Sequence, residues 1–279
     1  MTAGHEDVPT VRAAQVHPTA VVEAGASLAA GVVVGPHCVV SARAVIGRGT
    51  VLESHVTIMG DVRIGERNRI YPNCVIGGEP QDVSYRGGPT RVEIGDDNLI
   101  REGVTVNRGS EKEDGLTTIG SANFLMAACH VAHDCRIGDQ VTIANGTLLG
   151  GHVRVQSRAS LSGAVAVHHW VTIGGWSFVA GLSRVLHDVP PFMLCEGAPA
   201  RPRCVNLVAL RRGGFAPAAI ESISEAYRLV YRAKVGFEQA REILRSQGAA
   251  EAEVGQLLDF IAQQSGGRHG RARERRRAA

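Results

Sequence analysis

Lysine is almost absent from this 279-residue chain: Lys112 and Lys234 stand alone among 30 basic residues. Aromatic residues make up only 4%. No run of 18 apolar residues occurs, so no transmembrane helix is expected. Met1–Thr10 has neither the basic flank nor the apolar core of a signal peptide, so a cytoplasmic protein is expected. The six cysteines (38, 74, 129, 135, 195 and 204) contain no CxxC pair, which removes the commonest metal and redox spacings. The net charge of +3 is small. Much of the excess sits in Gly266–Ala279, which carries six Arg and no apolar residue large enough to build a core. That segment reads as a solvated, disordered tail, and no nucleic-acid partner is expected.

What the chain does have is glycine, 34 residues of it, and a repeat. Aliphatic residues recur every six places at Val22, Leu28, Val34, Val40, Ile46, Leu52, Ile58, Ile64, Ile70 and Ile76. The register breaks over Gly78–Arg91, resumes at Ile94, Ile100 and Val106, and breaks again over Asn107–Thr118. It then holds without a slip from Ile119 to Val185. The position four places on is small, and Cys38, Cys74, Cys129 and Cys135 all occupy it. They read as buried, reduced thiols.

A period of six suits neither an α-helix nor a long alternating strand. It suits short strands joined by turns, three to a coil, with coils of 18 residues stacking as parallel strands ~4.8 Å apart. One coil cannot bury its own apolar face, so stability comes from stacking. The expected layout is a leader at 1–15, a β-solenoid at 16–200 with insertions at about 78–91 and 107–118, a helical domain at 201–264 and a basic tail at 265–279. Ala216-Pro217 opens the helical part with Pro near a first turn. The groups Ala240, Ile243, Leu244 and Val254, Leu257, Leu258, Ile261 predict two further helices.

Coils of 18 make residues 18 apart vertical neighbours. His133, Gly151 and His169 then form one column, flanked by His152 and His168, with His130 three places before His133. Histidine titrates near neutral pH, so such a cluster points to a site. Two chemistries fit. In one, His133 takes a proton from a hydroxyl that attacks a thioester. Asp134 can orient the ring if the pair sits at a turn, and the Gly151 N–H can receive the oxyanion. In the other, three imidazoles hold a metal ion.

The hexads resemble those of the left-handed β-helix in hexapeptide-repeat acyltransferases. The loop motifs narrow the likeness. They read Gln81-Asp82-Val83-Ser84-Tyr85-Arg86-Gly87-Gly88-Pro89-Thr90-Arg91, then Ile100-Arg101-Glu102-Gly103-Val104-Thr105-Val106-Asn107-Arg108-Gly109, then His130-Val131-Ala132-His133-Asp134-Cys135. Asp188-Val189-Pro190-Pro191 and Arg211-Arg212-Gly213-Gly214-Phe215 follow. In this order they resemble the UDP-N-acetylglucosamine O-acyltransferases, the family that opens lipid A synthesis, from about Val16 to Gln264. The resemblance implies an all-β left-handed parallel β-helix with a small C-terminal α-helical domain. It implies a homotrimer with sites between subunits, and transfer of a 3-hydroxyacyl chain from acyl carrier protein to a UDP-sugar, with no metal and no cofactor. His133 matches the general base, Asp134 its partner and Gly151 the oxyanion donor. His130, His152 and His168 match residues lining the site, with His169 beside them. Gln81 and Asp82 match the sugar-contacting loop, and Asn206 and Arg212 match nucleotide contacts. Gly181 matches the end of the acyl groove.

Four positions depart from the family pattern. Ser84 replaces a lysine, His169 a glutamine, Val208 an acidic residue and Gly213 a basic one. Arg86, two residues beyond Ser84, is the expected replacement cation. The leading reading is the acyltransferase. Alternatives are a paralogue acting on another UDP-(amino)sugar, a metal-dependent hydratase on the same scaffold, and a non-catalytic module that binds acyl carrier protein.

Overall fold

A computed structural model describes residues 13–233, 235–246 and 251–274. Short strands from Gln15–Val16 to Arg184–Val185 form three parallel faces, and each strand pairs with strands one coil away. The first face starts at Gln15–Val16, the second at Val21–Val22 and the third at Ser27–Leu28. The chain turns the first edge between faces one and two, the second edge between two and three, and the third edge on its way back to face one.

The hexad sets this geometry. Its aliphatic residue points inward and stacks on its equivalents: Ile143 pairs with Leu125 on one side and Leu161 on the other. Leu52, Ile70, Ile100, Leu125 and Ile143 are fully buried. Each such side chain contributes about 1.5–3 kcal/mol through burial. The small position four places on is buried too, at Cys38, Cys74, Cys129 and Cys135 among others. The tight turn between strands puts one residue in the left-handed region, as at Ala128, Asp134, Gln140, His152, Arg158, Ala164 and Trp170.

Both insertions leave the solenoid at the second edge. Residues 79–90 separate Val75–Gly78 from Arg91–Ile94, and residues 108–115 separate Thr105–Asn107 from Leu116–Ile119. The flanking strands nevertheless stay in register, with Arg91 opposite Leu116 and Ile94 opposite Ile119. A buried amide ladder runs through these coils. Asn68 Oδ1 accepts from the Asn98 N–H and Nδ2 at 2.9 Å each, Asn98 Oδ1 from the Asn123 N–H at 2.9 Å, and Asn123 Oδ1 from the Val141 N–H at 2.7 Å.

Past Val185 the chain adds something the repeat did not announce. Met193–Gly197 joins face one and pairs antiparallel with Ala200–Val205, where a helical domain was expected to begin. Helices follow: α1 Leu207–Arg212, α2 Pro217–Tyr227 running into a π turn at Arg228–Arg232, α3 Phe237–Ser246 and α4 Glu251–Gly266. Helix α4 crosses the third face. Ala252, Glu253 and Gln256 near its start share a cavity with Trp176 and Phe215 at the third edge. Phe260 and Gln263 near its end share another with Arg154, Thr172 and Asp188, beside the second edge.

The segment after α4 was expected to be disordered. Through residue 274 it is packed instead: Arg271 is buried and donates to the Leu186 carbonyl at 2.7 Å, and the Ala272 N–H donates to Asp188 Oδ2 at 2.7 Å. Charge alone misled the reading, because the Leu186 carbonyl and the buried Asp188 carboxylate satisfy these groups. Residues 275–279 lie outside the described part, as do residues 1–12 of the leader.

Candidate active site

The second edge carries the candidate site. Reading along it, the two insertions are followed by the His133–Asp134 turn, the Gly151–His152 turn and the His169–Trp170 turn. The His152 N–H donates to the His133 carbonyl at 3.0 Å and the Trp170 N–H to the Gly151 carbonyl at 3.1 Å, so the 18-residue column is real.

Asp134 sits at the turn with φ +60°, and this brings its carboxylate back to its own neighbour. Its Oδ2 lies 2.7 Å from His133 Nδ1. The carboxylate is fully buried and accepts two further hydrogen bonds, both from Ser110. Ser110 donates its N–H at 2.8 Å and its hydroxyl at 2.6 Å, while Thr117 Oγ1 accepts the Asp134 N–H at 2.9 Å. Burial would raise this carboxyl's pKa, but the bonds to His133 and Ser110 outweigh it and hold it below the ordinary range. Asp134 therefore stays an anion that accepts from Nδ1, leaving Nε2 of His133 as the basic nitrogen.

His152 packs edge-on to His133 with ring centroids 5.1 Å apart, and it stacks flat on Trp170 at 4.0 Å. Its Nδ1 meets Glu113 at 3.3 Å and its Nε2 lies 3.8 Å from Asp134. Burial pushes its pKa down, against the pull of Glu113 and Asp134. His130 bonds Thr105 Oγ1 at 2.7 Å; its pKa is lowered by burial and by the nearby His133. His168 and His169 stack against each other at 3.8 Å, with His169 exposed.

Gly151 answers a packing demand as well as a chemical one. A Cβ there would lie 2.6 Å from His133 Cε1 and 2.7 Å from Nε2. Only glycine leaves room for the imidazole. The Gly151 N–H takes no hydrogen-bond partner among the described residues, so it is free to donate.

The insertion loops meet in front of this edge. Asp82 is the anchor, and the cation on it is Lys112, with Nζ 2.5 Å from Oδ2. Arg86 does not fill that gap. Its guanidinium folds back onto the carbonyls of Val83 and Tyr85, and its N–H meets Glu111. Ser84 joins the anchor by donating its N–H and hydroxyl to Asp82 Oδ1 at 2.9 and 2.8 Å. These bonds, Lys112 first, hold the Asp82 carboxyl well below its usual range. Gln81 is exposed on the same loop. The Lys112 N–H also donates to Ser110 Oγ at 3.3 Å, which ties the Asp82 anchor to the clamp on Asp134.

The remaining expected residues lie on other edges of the solenoid. Gly181 stacks at the first edge, where Leu182 donates to the Gly163 carbonyl. Asn206 caps α1 through Ala209 and donates to the Trp176 carbonyl at 2.9 Å, beside the third edge. Arg212 is exposed at the end of α1. The departure at Gly213 has a steric partner: a Cβ there would lie 2.4 Å from the Trp176 ring.

Sequence spacing missed Ser110, Lys112, Glu113, Thr117 and Arg273. The first three ride an insertion that resets the 18-residue count, and Arg273 arrives from the far end of the chain. Trp170 was reachable, since it stands 18 places beyond His152.

Comparison with known proteins matches this geometry to one family. A profile described as bacterial transferase hexapeptide (six repeats) matches residues 43–78 and 116–151, and one described as UDP-N-acetylglucosamine O-acyltransferase, domain 2, matches 188–270. A relative from Verminephrobacter eiseniae, named acyl-[acyl-carrier-protein]--UDP-N-acetylglucosamine O-acyltransferase, is 47% identical over 88% of this chain and 96% of its own. The chain belongs to the UDP-N-acetylglucosamine O-acyltransferase family. A family member of the same name from Thiobacillus denitrificans is 45% identical over 89% of this chain and 96% of its own. The crystal structure of the Francisella novicida UDP-N-acetylglucosamine acyltransferase superposes with a TM-score of 0.85 at 37% identity, covering 89% of this chain and 91% of that one. The solenoid is a left-handed parallel β-helix with a small helical C-terminus.

Proposed function

We propose that the chain moves a 3-hydroxyacyl group from acyl carrier protein to the 3-hydroxyl of UDP-N-acetylglucosamine, with His133 as general base. One observation carries the mechanism: His133 Nδ1 is fixed at 2.7 Å on an Asp134 carboxylate that is itself clamped and buried. Nε2 takes the proton of the sugar hydroxyl as its oxygen attacks the thioester carbonyl. The Gly151 N–H receives the developing oxyanion. Collapse breaks the C–S bond, and His133 returns its proton to the departing thiolate. No step needs a metal, although donor atoms of His133, Asp134 and His152 lie within 4.8 Å of one another.

The scattered edges support a homotrimer. Gly181 at the first edge and Asn206 and Arg212 beside the third belong to this reading as acyl-groove and nucleotide contacts. One copy holds them apart from His133, so the reading joins them across subunits. It includes a cytoplasmic location, and no helix among the described residues is long and apolar enough to cross a membrane.

The test is incubation with 3-hydroxyacyl carrier protein and a panel of UDP-sugars, read by mass spectrometry. The expected product is the 3-O-acylated UDP-N-acetylglucosamine. Acylation of a different UDP-sugar, with this one untouched, would transfer the assignment to the paralogue reading. Full activity in chelator is expected, and a loss restored by Zn²⁺ would replace the base mechanism with a metal-assisted one.

A further inference from the structure

The C-terminal segment does more than pack. Helix α4 carries the chain from the third edge across the third face, and the turn after it delivers Arg273 to the second edge. There one guanidinium makes three contacts. Nη1 donates to the His152 carbonyl. Nη2 meets Glu113 Oε1 at 3.2 Å, on the second insertion loop. Its Cζ lies over Trp170, 5.3 Å from the ring centroid.

Each contact leads to His152. Glu113 holds its Nδ1, Trp170 is the surface it stacks on, and the carbonyl is its own backbone. His152 in turn packs against His133 and lies beside Asp134. The Arg273 side chain is mostly buried, at 15% exposure, and so is Glu113 at 24%, so solvent does little to weaken the pair. The segment that presents Arg273 is itself pinned. Arg271 donates to Leu186, Ala272 to Asp188, and Gln264 Nε2 to the Asp188 carbonyl. Gly270 turns at φ +66° against His187, where a Cβ would come within 3.0 Å of the ring.

We propose that Arg273 is a positioning residue for the catalytic histidines: it locks His152, and through it the His133–Asp134 pair, from the C-terminal end of the chain. This rests on the reading of His133 as the base. Guanidinium suits the task because its planar fork serves a carbonyl and a carboxylate together while its Cζ lies over an indole. Lysine keeps the charge but offers no fork. A displacement of about 1 Å at a catalytic group costs up to ~100-fold in rate.

The experiment compares wild type, Arg273→Met, Arg273→Lys, Glu113→Gln and the Arg273→Met/Glu113→Gln double in steady-state acyl transfer, with melting followed for each. The expected result is a roughly 10–100-fold fall in kcat for Arg273→Met. KM for both substrates should stay within about twofold, and Lys should recover part of the loss. The double variant should be no worse than the poorer single, because both changes break one linkage. Wild-type kcat in Arg273→Met overturns the proposal. So does a loss confined to KM, or one that follows a lowered melting temperature and that Lys fails to ease. Failure of the base reading shows separately, as near-normal activity in His133→Ala.

Discussion

The first and second edges of the solenoid are built from the same hexads but were put to different uses. Both turn through the same left-handed residue, and both place histidines there: His37 and His55 stack at 4.9 Å on the first edge, as His152 stacks on Trp170 on the second. Yet among the described residues the first edge carries no insertion, and its histidines meet no buried carboxylate. The second edge carries both insertions and the clamp on Asp134. The turn geometry is therefore permissive scaffold. What makes a site is the loop that reaches over from the neighbouring coil and surrounds one turn with fixed partners.

Mutations at equivalent turns can break that contrast. The largest effect is expected at the base. His133→Ala should lower turnover by about 10²–10⁴-fold with melting unchanged, while His55→Ala on the first edge should leave turnover as it was. Equal losses in the two would erase the distinction between edges. Next comes glycine. Gly151→Ala drives a methyl into the His133 ring and should cost on the order of 10²-fold in kcat. Gly163→Ala, whose Cβ would meet the Asn145 carbonyl at 3.5 Å, should be tolerated. If both were silent, the imidazole would not be held where the geometry has it.

Two smaller effects sharpen the comparison. On the first edge, Gly181→Met should shift preference toward a shorter acyl chain, since each methylene excluded from the groove forgoes roughly 0.8 kcal/mol. An unchanged chain-length profile by mass spectrometry would move the groove off that edge. Among the second-edge loops, Lys112→Ala should weaken UDP-N-acetylglucosamine binding by roughly 1 kcal/mol in calorimetry, the scale of a half-exposed charge-assisted bond. Ser84→Lys in that background should recover part of it by supplying the cation from the other loop. Arg86→Ala should bind like wild type, and a loss there larger than for Lys112→Ala would restore Arg86 to the role expected from sequence.

The solenoid was legible because its period is strict: Ile119 to Val185 repeats without a slip, and every inward residue of that run is buried as the repeat requires. The histidine column was legible for the same reason, since stacking is arithmetic. That arithmetic stops at the insertions. Ser110, Lys112 and Glu113 sit where the count restarts, so their partners depend on how a loop folds over an edge. The loop cation shows the cost: proximity in sequence favoured Arg86, while proximity in space belongs to Lys112. The tail shows another limit. Six arginines read as a solvated run until α4 is seen to carry two of them, Arg271 and Arg273, back to the carbonyls of Leu186 and His152.

The asparagine ladder has a consequence for how the chain avoids threading itself wrongly. Its rungs are separated by 18, then 30, then 25, then 18 residues, from Thr50 through Asn68, Asn98 and Asn123 to Val141. Everywhere else aliphatic residues look alike, and a strand could pair one coil too high with little loss of apolar contact. Across the two loops, where chain length gives no guidance, the carboxamides set these coils apart from the aliphatic ones. A strand carrying one of these amides that docked beyond the ladder, at the level of the buried Val32 or Ala159, would bury it against aliphatic neighbours, at about 1–3 kcal/mol for each unsatisfied group. The ladder thus runs up the third edge through the coils on either side of both loops, the stretch where the solenoid could most easily be assembled out of order.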